Sequence, residues 1–245
     1  MNEIVFTRNA THSLNQIAKG LEWNKGDVVL TTDREHNSNL VPWLQLEQEQ
    51  GIDHRVVRSN QDNTFNLESF EEACAEAGTK LKMVSMSHVG NLDGVETPVK
   101  EITKIAKDYG ALVSIDGAQS APHMSVDVQD LGIDFYSFSI HKMLGPSGLG
   151  GLWARTELLE NMRTIQSGGQ TVTTATYESF EWAKAPSKFE GGLGHFAGMM
   201  ATGAAVDYLT ELNMDDVHAH EQSLNRIMSE GVKNIPGVSI IGPED

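Results

Sequence analysis

A single cysteine, Cys74, in 245 residues makes an internal disulfide impossible, and the reducing cytoplasm is the compartment expected for such a chain. Basic residues are also few: 18 Lys and Arg stand against 34 Asp and Glu, a formal net charge of −16. That balance argues against binding nucleic acid or an anionic membrane by bulk attraction. No apolar run approaches the roughly 18 residues that span a bilayer. The opening MNEIVFTRNATHS has no basic stretch leading into an apolar one, so no secretory signal is expected. Internal repeats and low-complexity tracts are missing too. What is present is a chain 39% hydrophobic, enough to build one large domain, or one domain and part of another.

Short apolar runs alternate with helical periodicity from residue 4 to about residue 116. Strands are expected at residues 4–6, 27–31, 54–58, 81–87 and 111–116. Between them lie helices: one with Leu14, Ile17, Ala18 and Leu21 on one face, capped by Asn9 or Thr11; one through Val41, Leu44 and Leu46 with Pro42 in its first turn; one over 67–77 holding Cys74; and one over 99–109. Further on, DFYSFS (134–139) and GLWAR (151–155) read as strands, and 196–212 and 215–232 as helices. Residues 238–241 read as the start of a strand, and 160–195 as an irregular, functional or subunit-contacting loop. Alternation with short connections predicts an α/β domain on a mostly parallel sheet.

In such sheets ligands gather at the C-terminal ends of the strands. Polar residues cluster there in sequence: Asn9 to Thr11, His36, His88 to Asn91, Asp116 to Gln119, and Ser139 to Lys142. A helix that starts just after the first strand offers free backbone N–H groups to an anion, although an ordinary cap reads the same way. Lys142 stands just past a buried strand, within SIHKMLGPSGLGG. An isolated lysine there more often snorkels into water. A partly desolvated one can lose its proton and bond an aldehyde cofactor. A second element shifts the reading: VSIDGAQ puts Asp116 at the end of another buried strand. A lysine for the aldehyde and an aspartate for the ring nitrogen are the minimal protein contribution to pyridoxal 5'-phosphate (PLP) chemistry.

The pieces VFTRNAT, EHNSNLVPW, SHVGNLDG, VSIDGAQSAPH, DFYSFSIHKMLGPSGLG and KFEGG together resemble the class V aminotransferase family of fold-type I PLP enzymes. Within it the likeness is to cysteine desulfurases and selenocysteine lyases. The resemblance implies a three-layer α/β/α large domain over 1–212, with 213–245 the start of an incomplete C-terminal small domain. It implies PLP as cofactor and no metal. Lys142 matches the lysine that bonds the aldehyde, and His36 an imidazole stacked on the ring that can also move protons. Asp116 matches the partner of the ring nitrogen, Gln119 the donor to the ring oxygen, and Asn91 a contact for substrate or cofactor. Ser139, His141, Ala10 and Thr11 match the phosphate site. The implied activity is removal of sulfur from L-cysteine, leaving L-alanine, for iron–sulfur or other sulfur metabolism. The implied partners are the amino-acid substrate, a sulfur-acceptor protein and a second copy in a cytoplasmic homodimer. Another class V transaminase, lyase or epimerase, or a non-catalytic fragment of the fold, are the alternatives.

The chain departs from the family pattern in several places. Ala10-Thr11 replaces Thr-Thr. Gly191-Gly192-Leu193-Gly194 replaces a run whose threonine reaches the neighbouring subunit's phosphate. Asp93 stands where a small or apolar residue is usual. The mobile-loop cysteine that takes the sulfur, and the arginine that grips the substrate carboxylate, belong to a C-terminal domain that this sequence ends before. Cys74, inside an amphipathic helix, reads as a buried hydrophobe rather than a nucleophile.

Overall fold

The computed structural model describes residues 3–243. Met1, Asn2, Glu244 and Asp245, the outer ends of the two expected domains, lie outside the described residues. Strands β1 (Ile4–Thr7), β2 (Val28–Thr32), β3 (Asp53–Val57), β4 (Leu81–Ser87), β5 (Leu112–Asp116), β6 (Phe135–Ser139) and β7 (Gly150–Ala154) form one seven-stranded sheet in the order β1-β7-β6-β5-β4-β2-β3. From β3 through β2, β4 and β5 to β6 every pairing is parallel, and β7 runs antiparallel to both β6 and β1. The expected mostly parallel sheet is what the strands build.

The helices are α1 (Ala10–Gly20), α2 (Asn37–Gln50), α3 (Leu67–Ala77), α4 (Val99–Asp108), α5 (Thr156–Asn161), α6 (Phe196–Leu212) and α7 (Met214–Lys233). All five residues of β2 are buried, because helices cover both faces of the sheet and a strand there needs no polar side. The pleat divides them. Val28 and Leu30 pack with Phe70 and Cys74 of α3 and Ile102 and Ala106 of α4. Val29 packs with Leu14 and Ile17 of α1 and Trp43 and Leu46 of α2. Two apolar layers, one on each face, make the three-layer α/β/α arrangement.

Three expectations change. Pro42 is not in the first turn of α2: the helix is capped by His36 and begins at Asn37, so the proline lies inside it. Residues 160–195 are not wholly irregular. They include the end of α5 and an antiparallel hairpin, β8 (Val172–Ala175) with β9 (Phe180–Trp182). Residues 238–241 form no strand among the described residues, having no neighbouring strand to receive their backbone hydrogen bonds.

Helix α6 leans over a groove of about 770 Å³ lined by Tyr136, Phe138, Trp153, Val206 and Leu209, among others. Asn213, with φ 63°, turns the chain from α6 into α7.

Candidate active site

Parallel pairing carries the ends of β2, β4, β5 and β6 to one edge of the sheet, and Ser87, Asp116 and Ser137 stand side by side in register there. β1, antiparallel to β7, ends on the same edge. The loops that leave this edge enclose a cavity of about 240 Å³. Its walls include every residue given a role by the family resemblance: Ala10, Thr11, His36, Asn91, Asp116, Gln119, Ser139, His141 and Lys142; His88, which opens one of the clusters, lines a different groove. The five polar clusters therefore converge on one space. Asn9, Val89 and Ala118, which stand within those clusters, also line it, as do Ser38 and Ser87, to which the sequence reading gave no role.

Helix α1 begins at Ala10 because Asn9 caps it, its Oδ1 accepting from His12 N–H at 2.9 Å. The Ala10 N–H, at the open end of the helix, donates to Ser139 Oγ at 2.9 Å and so joins α1 to the end of β6. Gly150 makes this approach possible, since a Cβ there would lie 2.5 Å from the Asn9 Cα. Past Ser139 the chain makes one 3-10 turn over Ile140–Lys142, with Ile140 buried as its anchor. The turn leaves Lys142 half-buried and His141 exposed at the rim. The lysine thus reaches the cavity without entering the core, where its ammonium would lose all hydration.

Asp116 is 5% exposed at the end of β5. Burial raises its pKa above the ordinary aspartate value, opposed by the Ala118 N–H and by the nearby Lys142 and His36 side chains. The Ala118 N–H donates to Oδ1 at 3.0 Å. Gly117 lets the chain turn tightly after Asp116, because a Cβ there would lie 2.0 Å from Tyr136 Cζ.

His36 is held from two sides. On the ring side its Nδ1 accepts the Ser38 N–H at 3.1 Å and lies 2.9 Å from Ser38 Oγ, which is itself 2.6 Å from Thr11 Oγ1. On the backbone side is Glu35, whose carboxylate is enclosed. Its Oε1 accepts from Thr32 Oγ1 at 2.7 Å and Ser87 N–H at 3.1 Å; its Oε2 accepts from Asn39 Nδ2 at 2.7 Å and Ser87 Oγ at 2.9 Å. Burial raises the pKa of Glu35, and these hydrogen bonds oppose the rise. Arg34 pairs with Asp93, which explains the departure at 93: an acid there ties the loop that carries Asn91 to the loop that carries His36.

Cys74 is buried under α3, and its thiol is pushed up to about 12, chiefly by burial and further by Glu71. It is no nucleophile at neutral pH. Leu193, 86% exposed, lies against a different cavity, shared with Arg8 and His12. Among the described residues no group of three or more His, Cys, Asp or Glu side chains could hold a metal ion, and no helix is long and apolar enough to cross a membrane.

A buried acid, a half-buried lysine and an open helix N-terminus on one cavity in an α/β sheet call for comparison with known proteins. The family model of aminotransferase class V matches residues 1–245. The chain belongs to the class V aminotransferase family. A probable cysteine desulfurase of Halalkalibacterium halodurans is 38% identical over 99% of this chain and 60% of its own length. The crystal structure of the cysteine desulfurase CsdA from Escherichia coli superposes with a TM-score of 0.91 at 31% identity, over 96% of this chain and 59% of that one. The enzyme C-DES, solved with glycine covalently linked to its PLP cofactor, shares the fold with a TM-score of 0.87 at 23% identity, over 98% of this chain and 65% of that one. This class V chain spans about three-fifths of the length of the curated relatives it matches.

Proposed function

We propose that the cavity binds PLP and that the chain is the cofactor-binding part of a cysteine desulfurase. The observation that carries this reading is the presence of Asp116, Lys142 and the N-terminus of α1 on one cavity of about 240 Å³. The donor set suits the cofactor. A buried carboxylate matches a protonated ring nitrogen, an amine matches an aldehyde, and backbone N–H groups with hydroxyls match a phosphate. PLP, when bound, supplies an electron-accepting ring that stabilises negative charge on the α-carbon of an attached amino acid.

Asp116 would pair with the ring nitrogen and keep it protonated. Lys142 Nζ would hold the aldehyde at rest and, once released, accept the proton from the substrate's α-carbon. Ser139, His141, Ala10 and Thr11 would hold the phosphate, Gln119 the ring oxygen, and Asn91 the substrate carboxylate. His36 would cover the ring. The substrate is L-cysteine and the product L-alanine, with sulfur passed to an acceptor thiol for iron–sulfur or related use. That thiol is not Cys74, which is buried. We read 1–212 as the PLP-binding domain, 213–245 as the start of a second domain, and the working unit as a cytoplasmic homodimer.

The test is spectroscopic first. Added PLP should give the absorbance of a lysine-bound cofactor, and Lys142→Ala should abolish it. A spectrum unchanged by Lys142→Ala would sink the assignment. Incubation with cysteine and an external thiol, followed by assay for alanine, then separates desulfuration from transamination, which yields a keto acid.

A further inference from the structure

We infer that Ser38 is a positioning residue that fixes His36 with its ring proton on Nε2, so that the ring offers the cavity a hydrogen-bond donor and not a base. The argument starts from Nδ1. A backbone N–H can only donate, and the Ser38 N–H is 3.1 Å from His36 Nδ1 as part of the cap of α2. Nδ1 must therefore present its lone pair, and a neutral imidazole then carries its single proton on Nε2.

The hydroxyls agree with this proton count. Ser38 Oγ lies 2.9 Å from Nδ1 and 2.6 Å from Thr11 Oγ1. With Nδ1 bare, the Ser38 hydroxyl donates to the ring and the Thr11 hydroxyl donates to Ser38, so each contact holds one proton. With a proton on Nδ1 the ring would donate to Ser38 Oγ and that hydroxyl on to Thr11 Oγ1, so the hydroxyls fit either tautomer; it is the Ser38 N–H, 3.1 Å from Nδ1, that such a proton would meet donor to donor. The chain of contacts starts at the first turn of α1 and ends at His36, so it also sets the orientation of the ring. His36 and Asp116 line the same cavity.

What the donor faces rests on the PLP reading: with Nε2–H turned to bound substrate or cofactor, His36 cannot take a proton there, and Lys142 is left as the acceptor. The tautomer itself does not rest on that reading.

The experiment is nitrogen-15 NMR on the purified 245-residue chain labelled at histidine, run with and without PLP, with His36→Gln to assign the signal. The expected result is an unprotonated, hydrogen-bonded Nδ1 and a protonated Nε2 without cofactor. Ser38→Ala, which removes one of the two donors, should shift the Nδ1 resonance. Ser38→Thr, which keeps the hydroxyl, should preserve it. Thr11→Ala should give a smaller shift in the same direction as Ser38→Ala. A proton on Nδ1 in the unsubstituted chain overturns the inference, and so does an Nδ1 resonance that Ser38→Ala leaves in place. The expected tautomer in a chain that shows no PLP absorbance supports the Ser38 assignment while removing the cofactor reading.

Discussion

Helices α1 and α7 are held by different means. Of the 11 residues of α1, seven are buried: Ala10, Ser13, Leu14, Gln16, Ile17, Ala18 and Gly20. Ser13 and Gln16 spend their side chains on backbone carbonyls of β7 and of Arg163. α7 has 20 residues and none is buried. One tie to the rest of the chain is a hydrogen bond of 2.8 Å between His123 Nδ1 and Glu221 Oε1, both nearly half exposed. On α7, Leu224, Ile227 and Met228 make an apolar stripe at helical spacing, 51%, 65% and 66% exposed. The contrast shows where the cavity gets its geometry. Every element that lines it grows out of the doubly covered sheet, so its shape does not depend on α7.

The comparison can be broken most directly by stability. Phe70, fully buried between α3 and the sheet, should cost about 3–5 kcal/mol when replaced by Ala, through lost transfer energy and the cavity left behind. Ile227→Ala on α7 should stay within about 0.5 kcal/mol, since its side chain keeps most of its contact with water in both states. Urea unfolding of the two variants reads both. Similar losses at the two sites would mean that the C-terminal helices are as firmly packed as the sheet.

His88 sharpens the boundary between the two regions. It closes β4 beside Asp116, whose backbone carbonyl accepts its N–H at 3.0 Å, and its side chain faces the groove under α6. It is 3% exposed, and its Nδ1 has no partner among the described residues. Burial lowers its pKa from the ordinary 6.5 to about 4. The unfolded chain then binds more protons between those values, so stability is complete above about pH 6.5 and is lost as pH falls towards 4. A shift of this size corresponds to on the order of 3 kcal/mol. His88→Gln should flatten that slope in unfolding measured at intervals from pH 7 to pH 4. An unchanged slope would mean that the groove admits water to the ring and that α6 does not seal it.

Much of this was legible in the sequence where one face of an element meets the core. The bounds of α3 and β4 coincide with the expected 67–77 and 81–87, because an amphipathic period marks the first and a short apolar-rich run, buried at five of its seven positions, the second. The hairpin of β8 and β9 was not legible. All but one of its residues are exposed, so no buried face imposes a period, and its apolar Phe180 and Trp182 pack on each other at 4.8 Å instead. The start of α2 was misplaced because its cap is a histidine, a residue outside the usual Ser, Thr, Asp and Asn set. At the cavity, the five polar clusters could be placed because each lies at a strand end, and the nine residues were named among them by the family resemblance. Ser38 and Glu35 stand in the same stretch as His36, yet part of what each does, Ser38 to Thr11 and Glu35 to Ser87, is a hydrogen bond to a residue far along the chain. Such pairings are distances in space, and nothing in residue type or spacing displays them.

Glu35 offers the finest test of how firmly the site side of the molecule is held. Its two oxygens accept from Thr32, Asn39 and Ser87, which draws the β2 loop, α2 and β4 together behind His36. Glutamine keeps one acceptor oxygen and brings an NH₂ group, so one of the two sets of donors must face another donor. Asn39 cannot easily turn its amide to help, because its Oδ1 already accepts from Ser85 Oγ at 2.6 Å and Trp43 Nε1 at 3.3 Å. Glu35→Gln should therefore lose about 1–3 kcal/mol. The pH dependence has a fixed sign. Burial raises the pKa of Glu35 above its ordinary 4.5, so the folded chain holds that proton more tightly than the unfolded one. Rising pH just above 4.5 then lowers the stability contributed by the native acid, and the gap between native chain and variant should narrow. Urea unfolding from about pH 4.5 to pH 7 measures it. Hydrogen exchange should quicken at Ser87 and Ser38 in the variant while α7 keeps its native rates. A gap that widens with pH, or a loosening that spreads into α7, would show that the two regions are coupled after all.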